Sequence, residues 1–136
     1  MDWMIEWLPN QSVLRVDLKG DFNVDDFHRM VEEVCARGES SGFSSILFDD
    51  TKLDLSRASS LELMDVSDMF LVNNSSFAFR RIAILVGSSS DFELAGNFAK
   101  VTQPSSQAKW SVFMDEGEAI DWLASESNRP DRVQTQ

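Results

Sequence analysis

Ile46-Leu47-Phe48, closed by Asp49-Asp50-Thr51, and Ile82-Ala83-Ile84-Leu85-Val86, closed by Gly87-Ser88-Ser89-Ser90, decide how this 136-residue chain folds. Both runs are short and apolar, and both stop abruptly in small or acidic residues with a helix-like segment behind them. Continuous apolar runs of this length suit strands buried on both faces, which parallel sheets covered by helices require. Folds of that kind bind partners or ligands at the strand ends, so the two closing segments are where function is expected.

Working outward, Trp3 to Leu8 and Val13 to Leu18 are β-like runs separated by the turn Pro9-Asn10-Gln11-Ser12, which predicts a hairpin. In the second run Leu14, Val16 and Leu18 alternate with Arg15 and Asp17, so one face is apolar and the other polar. Gly20-Asp21 is expected to end it. Asn23 is placed to cap a helix running to about Arg37 with Gly38 as its stop, and Phe27, Met30, Val31, Val34 and Cys35 form its apolar stripe. A third strand over Ser44–Thr51 leads through the polar stretch 52–58 into a second helix from about Ser60 to Val72. There Ser59 and Glu62 have capping-box spacing. Phe79 to Val86 is the fourth strand. Ser90 and Glu93 suggest the cap of a third helix, with Phe92, Ala95, Phe98, Ala99 and Thr102 along one side and Pro104 as its limit. Trp110 to Met114 is the fifth strand, and Asp115 with Glu118 caps a last helix containing Ala119, Ile120, Trp122 and Leu123. Residues 125–136 are polar, contain Pro130 and read as a loose tail, leaving one domain over residues 1–124.

The order β-β-α-β-α-β-α-β-α predicts an α/β fold. Its sheet is mixed and five-stranded, with an antiparallel first strand, parallel strands two to five in sequential order, and four helices mainly on one face. Hydrophobic residues make up 43% of the chain, enough for a packed core. The formal net charge of -11 repels phosphates and so disfavours nucleic acid and anionic membrane surfaces as partners, while suiting a basic protein. No apolar run approaches the roughly 20 residues of a membrane span. An acid stands early in Met1-Asp2-Trp3-Met4-Ile5-Glu6, where a signal peptide carries a base, and Cys35 is the only cysteine. A cytoplasmic location is expected.

Val13-Leu14-Arg15-Val16-Asp17-Leu18-Lys19-Gly20-Asp21-Phe22, Ile46-Leu47-Phe48-Asp49-Asp50, Arg81-Ile82-Ala83-Ile84-Leu85-Val86-Gly87 and Phe113-Met114-Asp115-Glu116-Gly117-Glu118-Ala119-Ile120-Asp121-Trp122-Leu123 carry a resemblance to a known family. In their order and spacing, over roughly residues 3 to 124, the chain resembles the STAS superfamily. It looks most like the small stand-alone SpoIIAA-like proteins grouped with STAS and Sec14 domains. The resemblance implies an open sheet in sequential order, a non-enzymatic regulatory role and a protein partner. The Sec14 side of it implies a small apolar ligand or lipid between the second and third helices and the sheet. In the sigma-regulating members a phosphorylatable serine opens the second helix in an Asp-Ser-Ser-Gly-like pattern. The matching stretch here is Ala58-Ser59-Ser60-Leu61, with Ala58 in place of the Asp and Leu61 in place of the Gly. Ser59 and Ser60 are therefore the expected phosphorylation positions, and a phosphate there would meet the free amides and dipole of a helix N-terminus. Read without the resemblance, Ser59 is the N-cap.

Asp49-Asp50-Thr51 has the look of a metal-holding strand end, but the acid pair that would complete such a site after the first strand is missing, and on a regular strand Asp49 and Asp50 point to opposite faces. Gly87-Ser88-Ser89-Ser90-Asp91 offers backbone amides but lacks a phosphate loop's lysine. His28 and Cys35 stand seven apart on one helix, about 10.5 Å along its axis, too far to form a thiol–imidazole pair. No metal, cofactor or catalytic set is expected. The expected binding surface comprises Asp49, Asp50, Thr51, Ser56, Ser59, Ser60, Met64, Gly87, Ser88 and Ser89, with methionine on the second helix allowing a partner to repack. Trp3, Ile5 and Trp7 share one face of an edge strand and Met4 and Leu8 the other, while Trp110, Val112 and Met114 share a face of the last strand. If the helices cover one side only, part of this apolar surface needs another chain over it, and a homodimer is expected.

Overall fold

The alternation in residues 13–18 becomes a strand that reads its neighbours in register. The structure, a computed structural model, describes residues 1–9, 12–41, 45–72, 81–106 and 108–128. Strands β1 (Asp2–Leu8) and β2 (Val13–Asp21) pair antiparallel, setting Trp3 opposite Leu18, Ile5 opposite Val16 and Trp7 opposite Leu14. Strands β3 (Ser45–Asp54), β4 (Arg81–Leu85) and β5 (Lys109–Phe113) add in parallel, giving among the described residues five strands in the order β1-β2-β3-β4-β5. The expected α/β fold is observed.

Helices α1 (Val24–Ser41), α2 (Ser60–Val72) and α3 (Ser89–Thr102) make the three parallel crossovers. Consecutive crossovers of one hand in one direction put their helices on one face. Accordingly Met30, Val31 and Val34 of α1, Val66 and Phe70 of α2 and Ala95 and Ala99 of α3 share one core with Leu14, Val16, Ile46, Phe48, Ile82 and Ile84. Helix α4 (Glu116–Asn128) covers the other face, where Ala119 and Leu123 pack on Val13, Leu47, Ala83 and Leu85. Strands β3 and β4 are buried on both faces, which is why they are the apolar runs. Ser67 Oγ and Thr102 Oγ1 lie 2.9 Å apart in the interior, joining α2 to α3 by a satisfied polar pair.

Several boundaries differ from the sequence expectation. Helix α1 passes through Gly38 to Ser41, since an interior glycine costs a helix only about 1 kcal/mol. Strand β2 continues through Gly20, whose φ of 91° favours glycine, and β3 continues with it to Asp54; ladder pairing carries the exposed Lys52 and Asp54, while Leu53 between them is buried. Helix α3 is capped by Ser88, which is extended (φ -146°, ψ 161°) and accepts from the Asp91 amide at 3.2 Å; the expected Ser90 cap lies inside the helix. With that start Phe92 points outward and is 42% exposed. Helix α4 runs to Asn128, into the expected tail. Phe79 and Arg80, at the expected start of the fourth strand, and residues 129–136 lie outside the described residues.

The tryptophans also fall differently from the homodimer argument. Trp3, Trp7 and Trp110 lie on the face covered by α1, α2 and α3. Trp3 Nε1 donates to Glu33 of α1 at 2.9 Å, and the Trp110 ring meets Phe70 at 5.0 Å edge-on. The alternation of β1 runs the same way on both faces, so Met4 is the residue left at 68% exposure on the other side.

Leu123 anchors α4 from a fully buried position. Leu123→Ala is expected to lower unfolding free energy by about 2–5 kcal/mol through lost transfer energy plus a cavity, as measured by urea denaturation.

Candidate functional site

At the end of β3 the ladder changes step. Asp17 pairs with Asp49, but the next pair is Lys19 with Lys52, so β3 holds one residue more than β2 over this interval. This is a β-bulge at Asp50–Thr51, a device that re-aims side chains. Before it, Ile46 and Phe48 face α1–α3, and Leu47 faces α4. After it, Leu53 also faces α1–α3, although Asp50 does too. Residues three apart point to opposite faces of a regular strand, and the extra residue brings these two to the same one.

Asp49 holds the bulge from the opposite face. Its Oδ1 accepts from the Thr51 amide at 3.0 Å and from Thr51 Oγ1 at 2.6 Å, and its Oδ2 accepts from Arg15 Nη2 at 2.5 Å. Arg15 also donates from Nε to Asp17 at 2.8 Å and from Nη1 to Glu116 at 3.1 Å, tying β2, β3 and α4 together. Burial works against the Arg15 charge, but hydrogen bonds to Glu116 and Asp17 outweigh it, so its pKa lies above the ordinary arginine value. Gly87, just after β4, lies against this turn: a Cβ there would stand 3.4 Å from the Thr51 carbonyl oxygen.

Asp50 is sent into the apolar side. Its Oδ1 is shut off from solvent and has no hydrogen-bond partner among the described residues. It lines a cavity of about 60 Å³ whose other walls are apolar: Phe22, Phe27, Phe48, Leu53, Leu55, Leu63, Val66, Phe70, Ile84, Leu94, Ala95, Phe98 and Trp110. Burial first, then the negative charges of Asp49 and Asp91, pushes the Asp50 carboxyl up to about 8 from 3.8. A carboxyl held neutral at pH 7 both donates and accepts a hydrogen bond.

Outside the cavity lies a groove of about 460 Å³ lined by Leu53, Asp54, Leu55, Ser56, Ala58, Ser90, Asp91, Glu93, Leu94 and Asn97. Leu53, Leu55 and Leu94 line both spaces. Hydrogen bonds from Ser56 hold the exposed Asp54 carboxylate below its ordinary pKa.

The structure therefore places Asp50 in the cavity and Ser56 with Ser90 and Asp91 of α3 in the adjoining groove, and turns Asp49 and Thr51 toward the other face. Ser59 and Glu62 form the expected reciprocal box, Ser59 N to Glu62 Oε1 at 3.0 Å and Glu62 N to Ser59 Oγ at 3.1 Å. Ser60 is the exposed first residue of α2, Ser89 the exposed first residue of α3, and Met64 is 58% exposed. Arg15, Glu116 and the aromatic lining beyond Phe70 and Phe98 escaped the sequence reading of the site. The polar face of β2, Arg15 with Asp17, was the available signal for the first, but nothing local marks which distant acids it meets. His28 sits on the exposed side of α1, 3.8 Å from Glu32, and Cys35 belongs to the core.

No protein-family model matches the chain, and a search among curated proteins finds no match. Among solved structures, the chain is similar to an uncharacterised protein of the DUF3478 family with a SpoIIAA-like fold from Shewanella loihica PV-4. The match has TM-score 0.60 and 21% identity, and covers 90% of this chain and 92% of that one. It is also similar to the anti-sigma factor antagonist SpoIIAA in its unphosphorylated form, with TM-score 0.47, 17% identity and coverage of 91% and 97%. The fold is thus SpoIIAA-like, as the resemblance implied.

Two outcomes follow from this geometry. Arg15→Met leaves Asp49 without its cation at 14% side-chain exposure, and denaturant unfolding is expected to show a loss of about 1–3 kcal/mol. For Asp50, the folded pKa lies above the unfolded one, so the native state binds the extra proton. Its favourable contribution is complete below about pH 4 and is lost as pH rises toward 8. Asp50→Asn removes that dependence, so the variant's stability relative to wild type is expected to be higher at pH 9 than at pH 5. A constant difference across urea melts at the two pH values would contradict the burial of Asp50.

Proposed function

We propose that this chain is a non-enzymatic regulatory domain that binds a protein partner through its strand-end loops and α2. The observation that carries this reading is the outer side of α2. Leu61 and Met64 are 75% and 58% exposed there, one turn from the Ser59 cap, and Phe92 of α3 is 42% exposed. Large apolar side chains grouped on one surface mark contact sites. Glu62, Asp65 and Asp68 accompany them on α2, and the chain carries a net charge of -11, so the fitting partner has an apolar patch rimmed with lysine or arginine. Nucleic acid and anionic lipid are disfavoured by the same charge. Ser60 is the better placed phosphorylation position, because its side chain is exposed at a helix N-terminus while the Ser59 hydroxyl is engaged in the capping box.

His28 lies on the exposed side of α1, 3.8 Å from Glu32 of its own helix and away from the cavity. No described helix is long and apolar enough to cross a membrane. The single cysteine fits a reducing, cytoplasmic setting. Self-association would use the part of the second face around the exposed Met4.

A second reading, a small apolar ligand between α2, α3 and the sheet, is favoured by one observation: an apolar cavity that contains an unpartnered carboxyl oxygen. At about 60 Å³ it is smaller than the roughly 150 Å³ cavity that takes up benzene, so a ligand has to displace some of the lining side chains.

The leading reading is tested by purification from the native host with wild type and with Leu61→Glu/Met64→Glu. A protein retained at fixed stoichiometry by wild type and reduced at least tenfold by the double variant, with melting temperature unchanged, is the expected result. Equal retention by both would remove α2 from the interface.

A further inference from the structure

We infer that the cavity between α2, α3 and the sheet is a recognition site for a small organic amine, with an apolar body among the aromatic rings and the ammonium group on Asp50. This rests on the second, ligand-binding reading above and names its chemistry.

The shape of the site supplies the first argument. Phe22, Phe27, Phe48, Phe70, Phe98 and Trp110 line the cavity, and Asp50 is the one titratable side chain among its lining residues. Asp50 Oδ1 lies there without solvent and without a hydrogen-bond partner among the described residues. A buried polar atom left unpaired costs about 1–3 kcal/mol, and a ligand donor placed against it recovers that cost. The lining thus calls for a molecule that is apolar over most of its surface and carries one hydrogen-bond donor.

Charge selects among such donors. The acids acting on Asp50 are Asp49 from its own strand and Asp91 from α3, and the lining contributed by α1, α2, β4 and β5 is apolar. Arg15 is committed to Asp17, Asp49 and Glu116 on the opposite face. The adjoining groove adds Asp54 and Glu93, with the Arg57 charge acting on Asp54. Asp54, Asp91 and Glu93 thus stand in the groove that shares Leu53, Leu55 and Leu94 with the cavity, and Asp50 lies in the cavity itself. That field repels a carboxylate and attracts an ammonium, and aromatic faces favour a cation over an anion by the sign of their quadrupole. An alcohol satisfies the hydrogen bond but gains nothing from the charge.

Proton balance gives the site a pH signature. Burial among the apolar walls pushes the Asp50 carboxyl up to about 8, so below that pH an ammonium ligand binds with release of a proton from Asp50 to solvent. Affinity then rises up to about tenfold per pH unit until Asp50 is ionised, and falls again only where the amine itself loses its proton.

Isobutylamine, isobutanol and isobutyrate share one apolar body and differ in the head group, so they make a matched set of probes. Titrations followed by amide NMR shifts at Ile84, Leu94 and Trp110, on wild type and Asp50→Asn at pH 6, 7 and 8, test the inference. The expected result is saturable binding of isobutylamine at least about tenfold tighter than isobutanol at pH 8, rising with pH, with isobutyrate weakest. Asp50→Asn is expected to weaken the amine about tenfold or more while leaving isobutanol within about threefold. Isobutanol binding as well as the amine, or an amine affinity unchanged in Asp50→Asn, overturns amine recognition while leaving the cavity a ligand site. Failure of all three probes on wild type overturns both the inference and the ligand reading beneath it.

Discussion

Between the pairs Asp17–Asp49 and Lys19–Lys52, β3 accommodates one residue more than β2, and Asp49 is the side chain that makes this stable. One carboxylate oxygen gathers the amide and hydroxyl of Thr51, closing the bulge, and the other takes the Arg15 guanidinium. Alternation alone makes Asp49 and Asp50 face apart, and the inserted residue lets Asp50 and Leu53 face together. The charged side chain that can be satisfied goes to the Arg15 cluster. The one that has no partner goes to the apolar side, beside Phe48.

This arrangement divides the sheet into a face that is settled and a face that is poised. On the α4 side, Arg15 joins two strands and a helix through three acids, and its own burial is outweighed by those partners. On the α1–α3 side, the aromatic cluster around Phe70 surrounds a carboxyl that pays in desolvation for its position. An uncompensated group of this kind lowers stability, and such groups concentrate where a protein binds or reacts rather than where it only packs. The exposed apolar residues of α2 lie on the outside of the same helix whose inner side, through Leu63, Val66 and Phe70, walls the cavity. Partner contact on the outer side of α2 and occupancy of the cavity on its inner side would act on one element.

Much of the architecture was legible because it follows from short-range rules. Uninterrupted apolar runs marked β3 and β4, alternation marked β2, and the spacing of Ser59 with Glu62 marked the start of α2. What escaped depended on pairing between distant residues. Strand β3 outlasts its apolar run because β2 is there to pair with it. The choice of Ser88 over Ser90 as a cap is set by where β4 releases the chain. The bulge has no mark in Asp49-Asp50-Thr51 itself, since the extra residue is defined only against β2. The site residues Asp49 and Asp50 were found as a strand-end pair, and their divergence to opposite faces followed from alternation. Their separate roles did not, because Arg15 and the aromatic wall are assembled from elements far apart in the chain.

The most direct test of this account is the titration of the Asp50 side-chain carboxyl by carbon-13 NMR in the wild-type protein. A carboxyl held in the apolar cavity changes its chemical shift with a midpoint near pH 8. A midpoint near the ordinary aspartate value of about 4 would show a solvated Asp50, and would contradict the placement on which the cavity's chemistry depends.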